Sequence, residues 1–75
     1  MFMVGEKERV EIDIKKFHES MEGLPIGERE KLAVLTAKKY CSDAEYFLKK
    51  GEIFTAFGSI AYAHGLLDAI VKYKD

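Results

Sequence analysis

The sequence predicts an all-α fold, a three-helix bundle built on an antiparallel helical hairpin (residues 27–50 and 52–73) with an N-terminal covering helix (residues 6–23). Three observations carry that expectation. Val10, Ile14, Phe17, Met21 and Leu24 recur at spacings of four and three on an otherwise charged stretch, which makes one narrow apolar seam on a helix. Pro25, set between Gly23 and Gly27, disfavours a helical Leu24 and blocks continuation of that helix. Lys49-Lys50-Gly51-Glu52 then divides two further apolar stretches: cations close one helix, glycine can take the left-handed turn, and an anion opens the next helix. So short a link makes the helices it joins antiparallel neighbours.

In the first helix Ile12 points away from the seam, and His18 lies to its side, where it is solvated. The second helix is expected to start near Gly27 with Glu28 and Glu30 in its first turn, favoured by the helix dipole. Its inward face collects Ala33, Val34, Ala37, Tyr40, Cys41, Ala44, Phe47 and Leu48, while Leu32, Leu35 and Tyr46 fall outside that stripe and are expected to meet the first helix. Lys31, Lys38, Lys39, Lys49 and Lys50 make its outer face basic.

The third helix is unusual because it is apolar nearly all round. Ile53, Phe57, Ile60, Leu67 and Val71 form one face; Ala56, Ala63, Leu66 and Ile70 flank it on one side, Phe54 and Ala61 on the other. The remaining face holds Gly58, Tyr62, Gly65 and Ala69, which are small or aromatic rather than charged. Such a helix is expected to be covered on most of its perimeter, more than two neighbours can cover. The expected interaction surface is Gly58, Tyr62, Gly65, Leu66, Ala69, Ile70 and Tyr73, and the expected partner is a second copy, a dimer being favoured, or another protein. Gly58 and Gly65 each cost about 1 kcal/mol relative to alanine inside a helix, which close packing of a neighbouring helix would explain.

Seventy-five residues correspond to one domain, residues 1–75, with a thin stability margin. A hydrophobic content of 48% with a single proline argues against disorder. The net charge of −1 gives no global attraction to nucleic acid or to an anionic membrane. Cys41, having no second cysteine to pair with, suits a reducing cytoplasm, and the opening MFMVGEKE lacks the apolar core of a signal peptide. Residues 1–4 are expected either to fray or to pack on the bundle or a partner. The most apolar run, residues 60–71, is interrupted by His64 and Asp68 and is too short to span a bilayer, so no membrane partner is expected. The chain has no Asn and no Gln while 33% of it is charged, a composition that points to a thermophile.

Signals for chemistry are sparse, and neither a cofactor nor a catalytic residue is expected. His64 and Asp68, four residues apart on the third helix, form a polar pair with the reach to hydrogen-bond, as do His18 and Glu22 on the first. Such pairs can contribute to a metal site, yet no HExxH-type or paired-cysteine pattern accompanies them, so no metal is assigned. Cys41 is expected in the core with no histidine near it in sequence, and Ser42, Thr55 and Ser59 lack a nucleophile elbow. Charge is segregated: residues 31–50 carry five Lys against Asp43 and Glu45, net +3, while residues 1–30 are net −3. The second functional reading is therefore an RNA- or nucleotide-associated accessory domain using the lysines of helix two. Compensation between the two helices is the simpler account, since neither Arg lies near that face.

Tyr40, Ala44, Phe47, Ala56, Ile60 and Ala63, with Gly51 in the turn, fall at the offsets of a tetratricopeptide-type hairpin, in a single copy and with Asp68 at the usual proline position. Tyr40, Asp43-Ala44, Phe47, Gly51, Ala56-Phe57, Tyr62-Ala63-His64-Gly65 and Leu67-Asp68-Ala69 carry a closer likeness. On these residues the chain resembles a small archaeal family known as domain of unknown function number 357. The resemblance covers the C-terminal half well and the first helix loosely. It implies a short, cytosolic, all-helical archaeal protein and brings no activity. A looser likeness to the HEPN helical domains lacks their Arg followed four to six residues later by His, so RNase chemistry is not implied.

Overall fold

The computed structural model describes residues 5–72 and contains three α-helices: α1 (Glu6–Met21), α2 (Lys31–Lys49) and α3 (Ile53–Lys72), with no strand among the described residues. Residues 1–4 and Tyr73 lie outside the described residues, and with them the expectations placed on those positions. α2 and α3 form the most extensive helix pair, α1 packs next on α3, and the α1–α2 contact is the smallest.

Local chemistry sets each boundary. At the end of α2, Gly51 is left-handed at φ +82°. Its N–H donates to Leu48 O at 3.0 Å and the Glu52 N–H to Phe47 O at 2.9 Å, the two bonds of a Schellman cap. α1 ends two residues earlier than expected: Glu22 is extended (φ −66°, ψ 130°), Gly23 is at φ +73°, and Leu24 N donates to Met21 O at 3.3 Å. That is a type II turn, whose third position needs glycine.

α2 starts at Lys31 rather than near Gly27, because residues 28–30 form a tighter turn ahead of it. Glu30 N donates to Gly27 O at 3.2 Å, and Glu30 Oε1 accepts the Gly27 N–H at 3.3 Å, so the side chain and backbone of Glu30 close this turn together. Glu28 therefore sits in the turn and Glu30 at the helix cap.

One core joins all three helices. α1 contributes Val10, Ile14 and Phe17; α2 contributes Ala37, Cys41 and Ala44; α3 contributes Ala56, Ile60, Ala63 and Leu67. The α1 seam is as predicted, with Met21 and Leu24 packed at its edge and Ile12 44% exposed. Tyr40, Phe47 and Leu48 pack against the core from the expected face of α2. Leu32, Leu35 and Tyr46 do not meet α1: they are exposed, because α1 reaches α2 on the opposite side, at Cys41 and Glu45.

α3 is rotated from the expected orientation. Its buried seam is Ala56, Ile60, Ala63, Leu67 and Ile70, and Phe57 and Val71, expected at the core, are 45% and 55% exposed. Small residues centre the contact: Ala56 and Ala63 on α3 are fully buried, as are Ala37 and Ala44 on α2, and alanines let two axes approach closely. Bulky side chains are displaced to the margins of such a contact.

Candidate interaction surface

With its alanine-centred seam turned inward, α3 leaves a long outer face open. Phe54 (81% exposed), Phe57, Tyr62 and Val71 lie on it with Gly58, Ala61, Gly65 and Ala69, all exposed. Asp68, also exposed, is the charged group within the body of this face. Among the described residues, a Cβ built on Gly58 or Gly65 would meet nothing within 4 Å, so neither glycine makes room for a neighbour there. Tyr62 stacks edge-on against Tyr40 of α2 at 4.6 Å between ring centroids, which fixes one flank. Ile53, Phe54 and Phe57 meet Glu6 and Arg9 of α1 around a recess of about 400 Å³ on the other flank.

Of the predicted surface residues, Gly58, Tyr62, Gly65 and Ala69 are exposed, and Leu66 is half-buried against the core. Ile70 is a correction. It is 8% exposed and belongs to the inner seam, three residues on from Leu67. Sequence reasoning passed over Phe54 and Phe57 as part of the open face; the rotation of α3 puts them there.

α3 spans 20 residues and holds an 18-residue window with a mean hydropathy of 1.3, so by length and composition it is long and apolar enough to cross a membrane, whereas residues 60–71 alone are too short. The difference is the apolar turn from Ile53, which joins the helix as one piece. In the bundle its inner seam is core, and His64 ties it to α1.

The polar pairs expected along single helices are replaced by contacts between helices. His64 does not bond to Asp68. Its Nε2 lies 2.8 Å from the carbonyl oxygen of Asp13 on α1, so Nε2 carries the proton and donates, and its ring stands edge-on to Phe17 at 5.8 Å. A carbonyl on the neighbouring helix satisfies the half-buried imidazole, leaving Asp68 to solvent.

His18 likewise turns from Glu22 to α2, with Nε2 3.4 Å from Glu45 Oε2 and 3.8 Å from Cys41 Sγ. Both contacts use one nitrogen, so a protonated Nε2 donates to Glu45 and an unprotonated one accepts the thiol proton. A cysteine beside a histidine and a carboxylate invites comparison with a nucleophile, but burial, and then the Glu45 carboxylate, push the Cys41 thiol up to about 11. It is held as the inert thiol. Among the described residues no group of three or more His, Cys, Asp or Glu is placed to hold a metal ion.

The lysines of α2 do not form one free stripe. Lys39 Nζ pairs with Asp43 at 3.2 Å and lies over the Tyr40 ring, and Lys50 lies over Tyr46. Lys31 and Lys38 border a recess with Ile26 and Leu35, while Lys49 shares one with Glu11 and Glu45.

No curated protein and no solved structure matches this chain. A family model described as "Protein of unknown function (DUF357)" matches residues 8–74, which takes in α1 as well as the hairpin. The likeness read from the C-terminal half thus extends over nearly the whole bundle, and the chain belongs to the DUF357 family of proteins of unknown function.

Proposed function

We propose that this protein is a protein–protein interaction or self-association module whose docking surface is the outer face of α3. The observation that carries the reading is the pairing of a fully packed inner seam with an open apolar outer face on one helix, including Phe54 at 81% exposed. Contiguous apolar surface of this kind costs solubility unless something covers it. The two interior glycines, at which an added Cβ would meet none of the described residues within 4 Å, add a cost in helix propensity that a close external neighbour explains. No catalytic role accompanies this reading.

The RNA-associated alternative draws less support. Lys39 is neutralised by Asp43, Lys49 shares its recess with two acids, and Lys50 is engaged by an aromatic ring.

Binding of an environment-sensitive apolar dye, compared between the unaltered chain and Phe54→Glu, tests the module reading whatever the partner. We expect dye binding, or an oligomer by light scattering, and loss of either in the variant with helicity retained. A monomer that binds no dye contradicts the reading.

A further inference from the structure

Resting on that reading, we infer that the occupant of the α3 face is a second copy of this chain, its α3 lying antiparallel across the first with the two-fold axis near Ala61–Gly65. An isologous contact sets the same patch against itself, so it must be free of like-charge clashes and have small residues where the axes come closest. The middle of the face meets the second condition: Gly58, Ala61 and Gly65 are exposed there, with none of the described residues over the glycines.

The ends decide the direction. Glu52 is exposed just before α3, while Asp68 and Lys72 are exposed in its last turns. A parallel pair would set Asp68 beside its own copy and two helix dipoles side by side in the same sense. An antiparallel pair about the middle of α3 instead brings Asp68 toward the first turns of the other α3, the positive end of its dipole. On the α2 flank Lys39, over the Tyr40 ring that meets Tyr62, is already paired with Asp43.

Two labels in a Cys41→Ala background test this arrangement. Ala61→Cys lies near the axis and is expected to form a disulfide-linked dimer on mild oxidation. A spin label at Glu52→Cys lies about ten residues from the axis, so its distance to its own copy is expected near 30 Å along α3 at 1.5 Å per residue. A distance under about 15 Å, set by an interaxial separation of about 8–10 Å, would mean parallel helices and overturn the arrangement. Absence of both disulfide and dipolar signal would overturn the second copy as occupant. The dye experiment on the unaltered chain judges the module reading separately, so the two failures can be told apart.

Discussion

Replacing both Gly58 and Gly65 by alanine separates what the isolated fold needs from what its outer face is kept for. Neither glycine has a positive φ, and a Cβ at either would meet none of the described residues within 4 Å. In a single chain the substitutions therefore change helix propensity and little else, gaining about 1 kcal/mol each. The two sites are about 10 Å apart along α3 and share no partner, so their effects add to roughly 2 kcal/mol. For a domain of this size that raises the melting temperature by about 8–16 °C. The assay is thermal and denaturant unfolding by circular dichroism, at protein concentrations low enough to keep the chain monomeric. In the self-associated state the same methyls stand between the two α3 axes, so the double variant is expected to be more stable when dilute and to associate more weakly. A melting point that stays or falls in dilute solution would show that the glycines serve the chain's own packing, and would refute the argument.

Three further outcomes follow from the core and its polar neighbours. Phe17→Ala removes a side chain 1% exposed at the meeting of the three helices, and should cost about 3–5 kcal/mol in denaturant unfolding. His64→Leu keeps the volume but loses the bond to Asp13, whose carbonyl still has its place in the α1 backbone, so the expected loss is about 1 kcal/mol; a neutral result would mean the bond contributes nothing. The Cys41 thiol, raised in the fold from 9.0 to about 11, favours the folded state fully below pH 9, and that contribution is lost as pH rises through 11. Alkylation at pH 8 should accordingly be about 100-fold slower than for an unfolded control, and slower still through burial; a rate equal to the control would remove this assignment.

Much of the fold was legible because local chemistry dictated it. The α1 seam stands out against a charged background, and Gly51 between Lys50 and Glu52 announced a cap that the backbone supplies in full. α3 was harder for a physical reason. A helix apolar on nearly every side gives no pattern from which to choose the inner stripe, and the choice fell to the alanines of α2, which favour Ala56 and Ala63 over Phe57 and Val71. Ile70 moved inward with that rotation, while Phe54 stayed in the open. The histidines show a second limit. His18 and Glu45 are 27 residues apart, His64 and Asp13 are 51 apart, and the latter bond ends on a backbone carbonyl that no side-chain pattern reveals. The open face itself could be foreseen from composition, whereas its membership required the rotation of one helix.

If a second copy of this chain covers the outer face of α3, the protein dimerises as its concentration rises. Sedimentation equilibrium of the unaltered protein, across micromolar to millimolar concentration, tests it most directly. The mass is expected to rise from the 8.5 kDa of one chain toward twice that value, with Phe54→Glu holding at one chain throughout. A mass fixed at 8.5 kDa over the whole range would contradict it.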